Sequence, residues 1–187
     1  VMVLGTKLTS DIIKQLEETD VPVMLMDSYV KNPKVSCISS DNINSISAIV
    51  EQLIEDGHVN IGFLGGEKSS LVSRERFAGY VTALNGANIE YNSNFVCYGN
   101  FTEEGGRSCA KHFIDNKVTA VVCASDIMAI GLIRGLKALG AKVPDDISVS
   151  GFDDLEIIRY FSPALTTVKQ DFFMLGKTAF SELPITK

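Results

Sequence analysis

The sequence predicts an α/β protein in which parallel β-strands are covered on both faces by helices. Short apolar runs alternate along the chain with longer segments whose apolar residues recur at helical spacing. Glycines and small polar residues separate most of these runs from the helical segments. Because a strand–helix alternation is typical of βαβ units, we expect parallel rather than antiparallel sheets.

The expected elements follow from this alternation. Strands are predicted at residues 1–4, 23–26, 35–38, 61–64, 95–98, 120–123, 147–152 and 165–168. Helices are predicted at residues 9–18, 73–85, 102–114 and 126–139, with one more that starts at residue 172 behind an Asp171 cap. Another helix begins after Ser40 or Asp41, carries an apolar stripe through Ile46, and ends before Gly57, which favours a left-handed backbone.

Composition limits the class of protein. Hydrophobic residues make up 45% of the 187 positions and charged residues 21%, so the chain can bury a substantial core. A net charge of −6 is unsuited to binding nucleic acid directly, because phosphates require a basic face. No apolar run has the length that spans a bilayer, so we expect no membrane partner. Since the sequence starts inside a strand, we also expect residues upstream of Val1.

The cysteines and histidines do not form a recognisable metal or catalytic pattern. Cys37, Cys97, Cys109 and Cys123 lie far apart, whereas metal sites use close pairs. We therefore expect reduced, buried thiols, a cytoplasmic location and no metal or other cofactor. Only two histidines are present, which disfavours a catalytic triad. The segment 62–69 has the outline of a phosphate loop, but Glu67 would repel a phosphate, so we do not expect nucleotide binding there.

Several polar and aromatic residues follow predicted strands, at the edge where open α/β sheets bind ligands. These candidate residues are Asp27, Asp41, Arg76, Phe101, Ser125, Asp153 and Gln170. Each residue alone is equally well explained as a helix cap or a core residue. Together, a ring with carboxylate, guanidinium and amide groups suits a small polyol or a nucleobase-like ligand, and none of them forms a catalytic set.

Three blocks of sequence resemble one protein family. VPDDISVSGFDD with SPALTTVKQD, DGHVNIGFLGG with SRERFAGYVTAL, and TAVVCASDIMAIGLIRGLKALG are similar to the effector-binding core of the lactose/galactose repressor (LacI/GalR) family. The resemblance covers residues 1–183. It implies a two-lobed fold like that of periplasmic sugar-binding proteins, an effector in the cleft, a homodimer, and a DNA-binding headpiece ahead of the core.

The resemblance also implies residue roles and domain limits. Arg76 is similar to the family's effector-binding arginine, Phe101 to its stacking aromatic, Asp153 to its hydroxyl- or base-binding acid, and Asp41 to its cleft acid. Ser125 stands where some members carry asparagine, and Ser70 falls where members differ by effector. Residues 39–168 correspond to the carboxyl-terminal lobe. Residues 1–38 and 169–187 correspond to an incomplete amino-terminal lobe, and the headpiece is absent.

The sequence is therefore interpreted as the effector-binding and dimerisation portion of a bacterial transcriptional regulator, not an enzyme. A sugar is the favoured effector, and a purine or nucleoside is the alternative. Operator DNA would be bound only through the absent headpiece. The competing class is a periplasmic sugar-binding protein of a transporter. For the dimer contact, apolar residues are available on one helix and in one loop: Ile127, Met128, Ile130, Tyr160 and Phe161.

Overall fold

The computed structural model describes residues 1–4, 9–19, 21–32 and 35–183. The chain divides into two compact units. The first unit contains Val1–Asp41, Ser70–Val72 and Asp171–Lys187, and the second contains Asn42–Ser69 and Ser73–Gln170.

The elements alternate along the chain as the sequence predicts. The strands are β1 (Met2–Leu4), β2 (Val23–Met26), β3 (Val35–Ile38), β4 (Ile61–Gly65), β5 (Val96–Tyr98), β6 (Ala120–Cys123), β7 (Ser148–Asp153) and β8 (Thr166–Lys169). The α-helices are α1 (Ser10–Glu18), α2 (Asn42–Glu55), α3 (Leu71–Gly86), α4 (Glu103–Ser108), α5 (Ala110–Asp115), α6 (Asp126–Ala138) and α7 (Phe172–Ser181). Short 3-10 helices occupy Ser93–Phe95 and Glu156–Tyr160.

Each unit is built around a parallel sheet, which confirms the predicted fold class. The first unit has a three-stranded sheet in the order β1-β2-β3. The second has a five-stranded sheet in the order β5-β4-β6-β7-β8, and every pair in it is parallel. All carboxyl ends of the five strands therefore meet at one edge, where their loops can assemble a site.

The predicted helix boundaries have the expected physical causes. Gly57 follows α2 with φ 93° and Gly140 follows α6 with φ 86°, both values that a side chain would disfavour. The carboxylate of Asp171 accepts a hydrogen bond from the Met174 amide at 2.8 Å, so it caps α7 as expected. Among the described residues, none of the helices is long and apolar enough to cross a membrane.

Burial of apolar side chains stabilises each sheet within its own unit. In the first unit Leu16 of α1 packs with Val23, Leu25 and Val35 from the sheet. In the second unit a larger cluster fills both faces of the sheet, and its biggest fully buried side chains are Tyr80, Phe63, Phe113 and Phe152. The Tyr80 hydroxyl donates to the Ile61 carbonyl at 2.8 Å, so this buried polar group is satisfied.

The expectation of reduced, buried cysteines is wrong for three of the four. Cys97 in β5 and Cys109 form a disulfide with a Cα–Cα separation of 6.2 Å, and Cys37 is exposed. Only Cys123 is a buried thiol, and burial raises its pKa well above the usual value. Sequence spacing missed the bridge because its two cysteines become neighbours only after β5 and the following helices pack together.

The predicted helix over 102–114 is interrupted at the bridged residue. It forms two helices, α4 and α5, with Cys109 between them. α4 packs so closely on α6 that a side chain at Gly131 would collide with the Glu103 carbonyl. A side chain at Gly106 would likewise collide with the Met128 carbonyl. The close approach and the disulfide together fix the segment between β5 and α5.

Asp126 joins three segments near the carboxyl edge of the five-stranded sheet. It is fully buried and begins α6, directly after Ser125. Its carboxylate accepts hydrogen bonds from the Leu155 amide at 2.8 Å and from the Thr167 hydroxyl at 2.6 Å. Desolvation raises the pKa of Asp126 above its ordinary value of 3.8, although these hydrogen bonds act in the opposite direction. α6, β8 and the segment after β7 therefore share one anchor.

Removing the disulfide is expected to destabilise the protein. The Cys97→Ser/Cys109→Ser double variant should lose roughly 2–3 kcal/mol of unfolding free energy, because the bridge closes a short loop in the unfolded chain. Urea denaturation under non-reducing conditions measures this loss. Cys37→Ser is the matched control, since Cys37 lies outside the bridge. Equal stability of the double variant and the wild type would contradict the assignment.

The stability contribution of Asp126 is expected to depend on pH in a defined direction. Because its pKa is raised in the folded state, the folded protein binds the proton more tightly than the unfolded chain does. The stability advantage of the wild type over Asp126→Asn should therefore shrink as the pH rises upward from about 4. Denaturation curves of both proteins between about pH 4 and pH 7 test this, and an advantage that grows with pH would refute it.

Candidate functional site

Polar side chains from distant parts of the second unit's sequence meet at the carboxyl edge of its sheet. Arg76 comes from α3, Asp153 ends β7, and Gln170 follows β8. Arg76 is 3% exposed, so it is a buried cation on the helix that follows β4. Buried charges require partners, and the contacts of Arg76 define the centre of the site.

The Arg76 guanidinium is held from several directions. Nε donates to Asn42 Oδ1 at 2.8 Å, and Nη1 donates to the Ala124 carbonyl at 2.6 Å. The guanidinium carbon lies 3.6 Å from the centre of the Phe152 ring, within range for a cation–π interaction. These contacts come from α2, the end of β6 and β7, so the orientation of Arg76 is set by three separate elements.

Asp153 lies beside Arg76 and is bound to Gln170. Arg76 Nη1 lies 3.7 Å from Asp153 Oδ1, which is an ion pair without the shorter geometry of a hydrogen bond. Gln170 Nε2 donates to the same carboxylate oxygen at 2.6 Å. The side chain of Asp153 is 17% exposed, whereas that of Arg76 is 4% exposed. The carboxylate therefore presents the more accessible part of the pair.

Phe101 brings an aromatic ring to the loop after β5. The ring lies against the bare backbone of Gly66, where a side chain would collide with it. The Gly99 amide donates to the Gly65 carbonyl at 2.8 Å, which joins this loop to the end of β4. Phe101 is partly buried and packs against the hydrophobic core of the second unit.

Three of the predicted site residues have positive backbone φ angles. Asp27 has φ 56°, Phe101 has φ 57° and Asp153 has φ 125°. Residues with side chains rarely adopt such angles, and each one costs about 1–2 kcal/mol. All three follow or end strands, where this backbone turns the side chain away from the strand direction. The same backbone also occurs at Asn88, Asn100, Lys117 and Asp154, so positive φ by itself does not mark the site.

The remaining predicted residues are less directly connected to this cluster. The Ser125 hydroxyl accepts a hydrogen bond from the Met128 amide and caps α6, although Ser125 follows the Ala124 carbonyl that binds Arg76. Asp27, Asp41 and Ser70 group with the first unit. The Asp27 amide donates to the Ile38 carbonyl at 2.9 Å, Asp41 is exposed, and Ser70 is partly buried just before α3.

Sequence reasoning missed two residues of the cluster. Asn42 is 2% exposed, and its amide nitrogen donates to Glu75 Oε2 at 2.8 Å while its carbonyl oxygen binds Arg76. An asparagine at the start of a helix is usually a cap, and a glutamate within a helix is usually solvated. The only available signal was that Glu75 directly precedes a predicted binding arginine.

The segment 62–69 uses its glycines for packing. Side chains at Gly62, Gly65 and Gly66 would collide with rings of Phe113, Tyr98 and Phe101 respectively. Lys68 lies over the Tyr98 ring at 4.6 Å, and the Ser69 hydroxyl donates to Glu67 at 2.5 Å. Across residues 1–4, 9–19, 21–32 and 35–183, no group of three or more His, Cys, Asp or Glu side chains is placed to hold a metal ion.

A separate apolar cavity of about 600 Å³ lies beside α2 and the beginnings of β7 and β8. Its walls include Leu53, Val143, Ser150 and Leu165, and it shares no residue with the Arg76 cluster. Since polar ligands need convergent hydrogen-bonding groups, the Arg76 cluster is the better candidate for polar recognition.

The comparisons with known proteins identify the family to which the fold belongs. Residues 50–183 match the family described as periplasmic binding protein-like domain. The HTH-type transcriptional repressor PurR of Vibrio campbellii is 35% identical over 186 residues, which cover 98% of this chain and 56% of that protein. The chain thus spans about half the length of the curated relatives it matches.

Solved structures of transcriptional regulators have the same fold. A sugar-binding regulator of the LacI family from Escherichia coli, complexed with phosphate, has a TM-score of 0.83 and 30% identity, covering 96% of this chain and 66% of that one. The transcriptional regulator CelR in complex with cellobiose has a TM-score of 0.91 and 31% identity, covering 97% and 57%. The chain therefore belongs to the periplasmic binding protein-like domain family, among the effector-binding domains of LacI/GalR regulators.

Proposed function

We propose that this chain is the effector-binding part of a bacterial transcriptional regulator that senses a small molecule, favouring a sugar. The observation that carries the proposal is the Arg76–Asp153–Gln170 cluster at the carboxyl edge of a parallel sheet, with the Phe101 ring on a neighbouring loop. Open α/β sheets bind ligands at this edge. The transcriptional regulators among its relatives support a sensing function rather than an enzymatic one.

Each residue has a proposed role that follows from its chemistry. Asp153 accepts hydrogen bonds from ligand hydroxyls, and Gln170 fixes its carboxylate. Arg76 donates to a ligand oxygen, and the Phe101 ring covers an apolar ligand face. Further polar contacts are proposed for four residues that lie at strand or helix boundaries: Asp27, Asp41, Ser70 and Ser125.

A sugar fits these groups better than a purine does. Sugar rings present hydroxyls to carboxylates and an apolar face to an aromatic ring, and this chain offers both groups. CelR, a structural neighbour, is complexed with cellobiose. A purine or nucleoside remains the alternative ligand, because Phe101 can also stack on a base and Arg76 can donate to a ring atom.

We propose the same division into two lobes that the sequence predicts. Residues 39–168 form the carboxyl-terminal lobe, and residues 1–38 with 169–187 belong to the amino-terminal lobe. The grouping of Asn42–Ser69 with Ser73–Gln170 in one compact unit supports most of this division, whereas residues 39–41 and 70–72 group with the first unit and residues 169–170 with the second. Operator DNA would be bound by a separate headpiece, since this polypeptide carries a net charge of −6.

A periplasmic sugar-binding protein is the second candidate, and one observation favours it. The Cys97–Cys109 disulfide is unusual for the cytoplasm, where thiols are kept reduced. We nevertheless propose a cytoplasmic regulator, because its relatives are transcriptional regulators. Trapping thiols in intact cells with an alkylating reagent, followed by mass spectrometry, would show the state of the bridge and distinguish the two compartments.

Asp153→Ala is expected to abolish most of the ligand affinity. Losing two charged hydrogen bonds costs about 3 kcal/mol or more, which corresponds to over a hundredfold in Kd. Titration calorimetry with cellobiose and with hypoxanthine measures the change. The titration should use the full natural polypeptide that contains these residues, because the relatives are about twice as long as this chain.

Asp145→Ala is the control, since this exposed acid also lies in the second unit but in the turn before β7. It should bind the same ligand as the wild type does. A change of less than about threefold for Asp153→Ala would remove Asp153 from the site. Tighter binding of hypoxanthine than of cellobiose would replace the sugar assignment with a purine one.

We also propose that the regulator is a homodimer. Met128 and Ile130, which the sequence offered for the contact, are buried in the second unit, so they cannot supply it. Ile127 and Phe161 are partly buried. The exposed apolar groups nearby are Tyr160, which is 80% exposed, and Ile157, which is 52% exposed. A contact through the 3-10 helix Glu156–Tyr160 would bury both.

The Ile157→Asp/Tyr160→Asp variant should therefore be monomeric at concentrations where the wild type is dimeric. Light scattering coupled to size exclusion measures the mass of each. Tyr29→Asp is the control, because Tyr29 is also exposed but lies in the first unit. A wild-type protein that stays monomeric at high micromolar concentration would exclude the dimer.

A further inference from the structure

We infer that Asn42 and Glu75 are positioning residues that hold the Arg76 guanidinium in its ligand-binding orientation. The inference rests on the proposed function, because Arg76 is a ligand-binding group only within it. The contacts run in series, with Asn42 Nδ2 donating to Glu75 Oε2 at 2.8 Å and Arg76 Nε donating to Asn42 Oδ1 at 2.8 Å. We call this series the Glu75–Asn42–Arg76 relay.

The chemistry of the relay suits an amide in the middle. A cation that donates and a carboxylate that accepts can be bridged only by a group that both accepts and donates. Asn42 does so with its two amide atoms. If its amide were turned over, its NH₂ group would face Arg76 Nε and its oxygen would face the Glu75 carboxylate. Both contacts would then be repulsive, so the partners fix the amide orientation.

Because Asn42 and Arg76 are buried, losing a hydrogen bond of the relay is costly. Asn42 is 2% exposed and Arg76 is 3% exposed, so water cannot replace a lost hydrogen bond at either residue. Glu75 is partly exposed and lies beside Arg76 in α3. The neutral Asn42 amide lies between the Glu75 carboxylate and the Arg76 guanidinium. Glu75 therefore does not replace Asp153 as the direct ionic partner of Arg76. The Asp153 carboxylate therefore keeps its position 3.7 Å from Arg76 Nη1.

The relay also sets the direction of the guanidinium before a ligand arrives. Nε is fixed by Asn42, Nη1 by the Ala124 carbonyl, and the planar face by the Phe152 ring. A preorganised guanidinium avoids the entropy loss of ordering a long side chain on binding. Disturbing Asn42 should therefore weaken ligand binding although Asn42 itself makes no proposed ligand contact.

A pair of charge-changing substitutions tests the relay. Asn42→Asp keeps an acceptor for Arg76 Nε but sets it against the Glu75 carboxylate. Repulsion should turn the side chain at position 42 away from Glu75 and shift Arg76 with it, so ligand affinity should fall by about tenfold or more. Adding Glu75→Gln replaces the Glu75 carboxylate by an amide, which donates to the new carboxylate at position 42. The double variant should recover most of the loss. Calorimetry with cellobiose and with hypoxanthine measures affinity, and thermal melts measure folding of each variant.

A second readout follows Arg76 directly and needs no ligand. The Nε–H proton of Arg76 should give a protein NMR signal that is protected from solvent exchange in the wild type. The same signal should exchange faster in Asn42→Ala. Asn116→Asp is the control, because Asn116 also donates an amide hydrogen bond, at 2.8 Å to the His112 carbonyl, but lies away from the relay.

The outcomes separate the relay from the proposed function. Recovery by the double variant supports the relay, because a general packing defect at Asn42 would not be repaired by a change at Glu75. Equal affinity of Asn42→Asp and wild type, or a double variant no better than Asn42→Asp, overturns it. If the wild type binds neither probe, the proposed function fails, and an unprotected Arg76 Nε–H signal would independently overturn the relay.

Discussion

The second unit depends on one buried cation. Arg76 contacts the start of α2, the end of β6 and the end of β7 through Asn42, Ala124 and Phe152. A buried guanidinium is stable only when its donors are satisfied, so these three ends are constrained to meet around it. The same constraint places Asp153, and through it Gln170, at the carboxyl edge of the sheet. Stability and the candidate site thus share a single set of contacts.

The elements that local patterns determine were predictable from the sequence. The left-handed glycines at 57 and 140 and the Asp171 cap depend on residues a few positions apart, and the structure has them as expected. The parallel sheets were also predictable, because the strand–helix alternation leaves few other connections. Asp153 could be placed at the carboxyl edge because the end of a buried strand can be located from its apolar run.

Contacts between distant segments were not predictable. The Cys97–Cys109 bridge, the Asp126–Thr167 hydrogen bond and the Asn42–Arg76 bond each depend on how separate elements pack. In the sequence, Asn42 and Asp126 have the appearance of ordinary helix-start residues, and only burial reveals their other partners. Positive φ angles at Phe101 and Asp153 had no sequence signal, since neither residue is glycine.

The placement of Phe101 shows how the fold directs strain to one loop. Asn100 and Phe101 both have positive φ, so two consecutive residues are held in a backbone that side chains disfavour. The bridged cysteines lie on both sides of this loop in sequence, and α4 after it packs on α6 at backbone contact. The Gly99–Gly65 hydrogen bond then brings the ring against Gly66. Because covalent, packing and hydrogen-bond restraints all act on so short a segment, the ring is positioned by the scaffold rather than by a ligand.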